Sequence, residues 1–268
     1  MEIANKVAVI TGGATGIGFA LAKEMGKRGA QVVIAEPRQE KLQQAVATLA
    51  GEGVTAEYFV CDVTDLNQVE ALAEFAWSTF GQVDIAINNA GIGQPRATVM
   101  DCDMQAVHAT FDVNFFGVWH GCRVFAKRFA EQGTPAAIYN TASENAFFVA
   151  APLMAAYVAT KHAVLGLTDA LREEVPDFVQ VGAIIPGFVA TDLTAQAGEL
   201  AMTADEFAGI IVPQIEAGEF LAVSHAYNME HINQRHQRVS RAYAQYAPRY
   251  EGDDEYDVRA LLAKMSQS

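Results

Sequence analysis

Cysteine is scarce in this sequence of 268 residues. Only Cys61, Cys102 and Cys122 occur, an odd and scattered set. That excludes a disulfide framework and any Cys-x-x-Cys redox or zinc motif. It fits a reducing compartment in which all three are free, mostly buried thiols. Basic residues are also few. Eighteen Lys and Arg face 32 Asp and Glu, for a net charge of −14 and a pI near 4.8. Binding to nucleic acid or to an anionic membrane needs a basic surface, so neither partner is expected. The balance reads as a soluble, self-repelling cytoplasmic protein.

Long apolar runs are missing too. The uncharged stretch 146–160 is too short to span a bilayer and is broken by Pro152. The first residues, Met1 to Lys6, lead straight into a strand-like segment, so no secretory signal is expected. The six histidines include no His-x-x-x-His pair, and His231 and His236 do not share a helical face, so no metal site is expected. No linker, internal repeat or low-complexity tract divides the chain. With 51% hydrophobic residues, it reads as one domain over 1–268 with a substantial core.

What is present is an alternation. Short apolar runs at 7–10, 32–35, 57–61, 83–87, 136–140, 180–185 and 220–223 read as strands. Helical patterns lie between them, through about residue 28 and at 40–49, 66–80, 111–130 and 156–175. Strand and helix in turn predict an α/β fold: a single doubly wound parallel sheet of about seven strands with helices on both faces. The segment 192–215 is expected to form a substrate lid of short helices. A C-terminal helical extension is expected over 228–268. Met229, Ile232, His236, Val239, Tyr243 and Tyr246 form its apolar stripe, followed by a solvated acidic stretch at 251–257.

Four stretches point to chemistry: Thr11-Gly-Gly-Ala-Thr-Gly-Ile-Gly18, Asn88-Asn-Ala-Gly91, Tyr157-Val-Ala-Thr-Lys161 and Pro186-Gly187. Tyr157 and Lys161 are four apart on a predicted helix and share one face. An ammonium there can lower the pKa of a phenol, normally about 10, and make it a proton acceptor for an alcohol being oxidised. Gly12, Gly16 and Gly18 lie between the first strand and the first helix. Small residues at that turn let backbone amides approach a pyrophosphate. Glu36, at the end of the second strand, is either a surface residue or an acceptor for the adenine-ribose hydroxyls that would repel a 2′-phosphate. The second reading favours NAD over NADP, although Arg38 stands close by and Pro37 stiffens the turn. Asp62 either receives the adenine amino group or caps a turn.

Together these residues resemble the short-chain dehydrogenase/reductase family over about residues 6–192. Thr11-Gly-x-x-x-Gly-x-Gly18 is similar to its cofactor loop, with Gly12, Thr15, Gly16, Ile17 and Gly18 as binding residues. Cys61-Asp62-Val63 is similar to its adenine-contact motif. Asn88-Asn89-Ala90-Gly91 is similar to the segment steadying the central strand beside the cofactor. The resemblance implies a catalytic set of Asn114, Ser143, Tyr157 and Lys161. Tyr157 would be the general acid and base, and Ser143 would hydrogen-bond the reacting oxygen. Lys161 would hold the nicotinamide ribose, and Asn114 a water linking Lys161 to solvent. Pro186, Gly187, Val189 and Thr191 would form the nicotinamide-side loop, with Thr191 on the carboxamide.

There are departures from the family pattern. The spacing from Ser143 to Tyr157 is one residue longer, so the loop between them is expected to bulge. The usual Gly-Gly ending near the last strand is missing.

Phe147, Phe148, Pro152, Leu153, Met154, Phe188 and Leu193 stand near the catalytic residues in sequence, and several are expected to face an apolar pocket. The expected function is hydride transfer between a hydrophobic secondary alcohol or ketone and NAD, with NADP less favoured. The alternatives are an NADPH-preferring carbonyl reductase and a non-catalytic NAD(H) sensor on the same scaffold. Helices 111–130 and 156–175 resemble the pair that family members use to assemble, so a homodimer or homotetramer is expected.

Overall fold

The computed structural model describes residues 1–192, 194 and 200–265. The chain forms two compact units, Met1–Ala226 and Tyr227–Ser268. The first contains a seven-stranded sheet. Its strands are β1 (Val7–Thr11), β2 (Gln31–Glu36), β3 (Ala56–Val60), β4 (Ile85–Asn88), β5 (Ala136–Thr141), β6 (Val179–Ile185) and β7 (Leu221–Val223). The spatial order is β3-β2-β1-β4-β5-β6-β7, and every pairing is parallel. Helices make the crossovers: α1 (Gly16–Lys27), α2 (Gln39–Gly51), α3 (Leu66–Phe80), α4 (Met104–Phe111), α5 (Gly117–Gln132), α6 (Ala155–Glu174) and α7 (Ala204–Ala217).

Strand periodicity explains the two-sided core. Val7 and Val9 of β1 pack on one face with Leu72, Phe125 and Phe129. Ala8 and Ile10 pack on the other with Leu21, Leu42 and Phe207. Both faces of β1 are buried, so the strand reads as an unbroken apolar run. Each fully buried Leu, Ile, Val or Phe contributes roughly 1.5–3 kcal/mol.

The strand order reverses between β1 and β4. The loops leaving their C-terminal ends therefore diverge and open a crevice, the usual ligand position in a sheet of this kind.

Three local features differ from the expected elements. The helix expected at 111–130 starts earlier, at Met104, where the Asp103 carboxylate accepts the Gln105 N–H. It is then interrupted by a π-helical turn over Asp112–Phe116 before α5 begins. The acidic stretch contains a 3₁₀ turn, Asp253–Tyr256, and is followed by a further helix, Val258–Met265. Within 192–215, α7 is one helix started by a reciprocal Thr203/Glu206 cap, and Phe207, Ala208, Ile211, Val212 and Ile215 are buried. Leu193 and residues 195–199 lie outside the described residues.

In the second unit the long helix is α8, Asn228–Tyr246, with Met229, Val239, Tyr243 and Tyr246 exposed. The Val258–Met265 helix is α9. Among the described residues no helix is long and apolar enough to cross a membrane. Among them, too, no group of three or more His, Cys, Asp or Glu side chains could hold a metal ion.

Candidate active site

The turn between β1 and α1 is shaped by close backbone approach. A Cβ on Gly18 would fall 2.2 Å from the carbonyl oxygen of Gly12 and 2.5 Å from Asn89 Nδ2. Only glycine fits there. Asn89 in turn donates to the carbonyls of Thr11 and Gly12, at 3.0 and 3.3 Å. Its Oδ1 accepts the Thr141 hydroxyl at 3.2 Å. Thr11 Oγ1 accepts the N–H groups of Asn89 and Ala90. One asparagine thus ties together the ends of β1, β4 and β5. Asn88 lies beneath it, its Nδ2 donating to Asn140 Oδ1 at 2.8 Å.

The crevice at these strand ends is a cavity of about 510 Å³. Its wall includes Gly12, Thr15, Gly16 and Ile17 from the first turn, Glu36 from the end of β2, and Asp62 and Val63 after β3. It continues through Asn89, Ala90 and Gly91 to Ser143, Tyr157 and Lys161, then Pro186, Gly187, Val189 and Thr191. Glycines at the turn, an acidic residue at the β2 end and the strand-order reversal together fit a dinucleotide lying across the sheet.

Two of the expected site residues stand behind this wall. Gly18 packs on Gly12. Asn114 is fully buried in the π-helical turn, where its Oδ1 accepts the Ile92 N–H at 2.7 Å and its Nδ2 donates to the Ile92 carbonyl at 2.9 Å. Its amide holds the loop after β4.

The aromatic and apolar residues of 147–154 also differ from expectation. Phe147, Phe148, Pro152, Leu153, Met154 and Phe188 do not line the cavity, which takes its apolar wall from residues such as Ile92, Val113 and Val189. Phe147 packs against the core, while Leu153 and Phe188 are exposed. The loop is held away by its own backbone: Leu153 adopts a left-handed φ of 66°, and its carbonyl accepts the Ala97 N–H. Leu193 is outside the described residues.

Tyr157 sits in the first turn of α6, and its backbone N–H donates to Gln94 Oε1 at 2.8 Å. The residue before the helix supplies no side-chain cap, so Gln94, from the loop after β4, satisfies an orphan donor. Burial pushes the Tyr157 phenol above its usual pKa. Hydrogen bonding with Ser143 opposes that rise, and the nearby Glu144 carboxylate adds to it. Lys161 lies 5.5 Å from the Tyr157 ring centre and donates to the Thr141 carbonyl at 2.8 Å. Burial lowers its pKa to about 8. The lowering of the phenol by Lys161 expected from the sequence is not found: desolvation is the largest cause of both shifts and disfavours the charged form of each group.

Glu36 is buried, and Arg38 grips both its oxygens at 2.7 and 2.9 Å. This bidentate geometry, with Glu36 as the first cause, raises the Arg38 pKa. Sequence reading noted Arg38 only as a neighbour. It missed Gln94 and Asn145, whose side chains bond the Tyr157 backbone and Ser143 Oγ.

The family model for short chain dehydrogenases matches residues 6–200. A 1-deoxy-11-beta-hydroxypentalenate dehydrogenase from Streptomyces avermitilis is 34% identical, over 84% of this chain and 87% of its own. A short chain dehydrogenase/reductase from Burkholderia phymatum, solved in complex with NAD, is 30% identical. It superposes with a TM-score of 0.83 over 90% of this chain and 96% of its own. An alcohol dehydrogenase from Thermococcus sibiricus, complexed with 5-hydroxy-NADP, is 27% identical, with a TM-score of 0.71 over 79% of this chain and 90% of its own.

Proposed function

The chain belongs to the short-chain dehydrogenase family, and we propose that it is an NAD-dependent oxidoreductase acting on a hydrophobic secondary alcohol and its ketone. The single observation that carries this reading is the convergence of Ser143, Tyr157 and Lys161 on the cavity that the glycine turn and Glu36 also line.

In oxidation, the Tyr157 phenolate takes the hydroxyl proton of the alcohol, and Ser143 donates a hydrogen bond to the same oxygen. In reduction, Tyr157 returns the proton. The nicotinamide, when bound, supplies the hydride acceptor or donor. Lys161 would hold the ribose hydroxyls of the bound cofactor and supply a positive charge beside the phenolate. Asn114 supports the set from behind by fixing the Ile92 backbone. The apolar wall of Ile92, Val113 and Val189 favours a substrate with a hydrocarbon body. The segment 192–215 is the proposed lid, with the buried face of α7 as its anchored end, and 228–268 is the proposed C-terminal extension.

Glu36 supports the choice of NAD, since a buried carboxylate at that point repels a 2′-phosphate. A second reading, preference for NADPH, is favoured by the partly exposed Arg38 guanidinium. A homodimer or homotetramer through α5 and α6 is supported by Phe116 and Trp119, two aromatics left exposed beside α5; a monomer by light scattering would reject it.

The deciding experiment follows reduced-nicotinamide absorbance with NAD or NADP against a panel of secondary alcohols and ketones. Turnover with NAD by wild type, lost in Tyr157→Phe, is the expected result. Saturable nucleotide binding with no turnover in either direction would replace this reading by the sensor.

A further inference from the structure

Ser143 Oγ receives two hydrogen bonds from one residue. The Asn145 backbone N–H reaches it at 3.2 Å and Asn145 Nδ2 at 3.3 Å. Both residues are buried. The amide cannot be turned round, because its Oδ1 accepts the N–H groups of Ala150 and Ala151, each at 3.0 Å. Two backbone donors must face an oxygen, which leaves the NH₂ group facing Ser143. A hydroxyl carries two lone pairs and one proton. With Asn145 donating to both lone pairs, Ser143 has only its proton left to offer.

We propose that Asn145 is a positioning residue that commits the Ser143 hydroxyl to act as a donor toward the Tyr157 oxygen and the reacting oxygen. The inference rests on the alcohol–ketone reading of the site and adds to it the direction of one proton. It also accounts for the longer loop. Asn145 clamps the 145–151 segment with the same side chain that orients Ser143, so the extra residue does not slacken the serine. A donor fixed in advance costs no reorganisation when negative charge develops on the substrate oxygen. The charged groups acting on Tyr157 are Lys161 on its own helix and Glu144 beside Ser143. Neither constrains the Ser143 proton as two donors on its oxygen do.

Two substitutions separate the clamp from the orientation. Asn145→Ala removes both. Asn145→Asp keeps an acceptor for Ala150 and Ala151 but puts an acceptor beside Ser143 in place of a donor, so the hydroxyl turns away from Tyr157. Each is made in the wild-type and Ser143→Ala backgrounds. Two quantities are read on the full chain: kcat and KM separately, and the Tyr157 titration as the phenolate absorbance lost in Tyr157→Phe.

The expected result is that both variants lower kcat about tenfold or more, with KM changed by less than about twofold. Both raise the Tyr157 titration midpoint, and neither has a further effect once Ser143 is Ala. An equal loss with and without Ser143 would make Asn145 a loop brace and overturn the proposal. A midpoint raised by Asn145→Asp alone would be charge repulsion and overturn it equally. If Asn145→Ala does not fold, the Asp variant with its Ser143→Ala partner carries the test. The titration needs no turnover, so it judges the orientation even if no alcohol is oxidised and the functional reading fails.

Discussion

Lys161 Nζ stands 5.5 Å from the centre of the Tyr157 ring while donating to the Thr141 carbonyl at 2.8 Å. The two groups share one face of α6, half-buried at Tyr157 and buried at Lys161, and desolvation works against the charge on each. It lowers the lysine to about 8 and lifts the phenol. Ionising Tyr157 needs a partner charge, and Lys161 is placed to supply it. The titrations of the two are coupled, so a pH–rate profile reports the pair and not either residue alone.

The buried ammonium predicts a gain in stability on its removal. The Lys161 pKa is about 8 in the folded chain against a reference of 10.5. Below pH 8 the fold carries a charge it disfavours, at a cost of about 3 kcal/mol. Between about pH 8 and 10.5 the unfolded chain keeps the proton that the folded chain has released, so the Lys161 contribution to stability rises with pH, while the buried Cys61 and Cys122 thiols, pushed up to about 12, work in the opposite sense above about pH 9. Lys161→Met should therefore be more stable than wild type at pH 7 by about 1–2 kcal/mol, after loss of the Thr141 hydrogen bond. That advantage should shrink toward pH 10, and turnover should be abolished. Urea denaturation from pH 7 to 10 measures it. A stability difference between Lys161→Met and wild type that stays constant from pH 8 to 10 would contradict this account.

The Glu36–Arg38 pair predicts how cofactor choice responds to mutation. Glu36→Ala removes the carboxylate that repels a 2′-phosphate and releases the guanidinium that now holds both its oxygens. The ratio of kcat/KM with NADP to that with NAD should rise about tenfold or more, because charge-assisted bidentate contacts of this kind are strong. Arg38→Ala should move the ratio the other way. Steady-state kinetics with both cofactors decides it. A ratio unmoved by either change would take the pair away from the ribose.

Gly121, on α5 and away from the cavity wall, predicts a severe small substitution. A Cβ there would lie 1.9 Å from Asn88 Oδ1. Asn88 holds Asn140, and Asn140 donates to Thr168 Oγ1 at 3.0 Å. The added methyl must break a buried polar chain linking β4, β5 and α6. Gly121→Ala should cost about 2–4 kcal/mol, from overpacking plus unpaired buried groups. Gly166→Ala on α6 meets nothing within 4 Å, so it should be neutral or stabilise by up to about 1 kcal/mol. Thermal unfolding of the two variants side by side makes the comparison.

Much of the cavity wall was legible because its residues follow strand ends. A dinucleotide turn, an acidic residue after β2 and a serine after β5 each stand at a fixed step from an apolar run. Burial on both faces of the sheet makes those runs visible in sequence as continuous apolar stretches. The early start of the helix at Met104 was missed, since its signal is the single cap of Asp103. The π-helical turn at Asp112–Phe116 keeps an ordinary helical pattern and has no separate signature. The aromatics at 147 and 148 misled for a related reason. Nearness in sequence to Ser143 says nothing about which way a loop folds once Asn145 and Leu153 fix its backbone.

The sequence by itself determined the alternating elements, the parallel sheet and the order of the chemical groups along it. These depend on local spacing and on side-chain polarity, which any short window contains. Only the tertiary structure decided that Arg38 covers Glu36, that Gln94 caps the helix of Tyr157, and that Asn145 takes both lone pairs of Ser143. It also decided the direction in which Tyr157 and Lys161 titrate. Those properties come from desolvation and from hydrogen-bond partners brought together by folding, and no stretch of sequence carries the dielectric around a side chain.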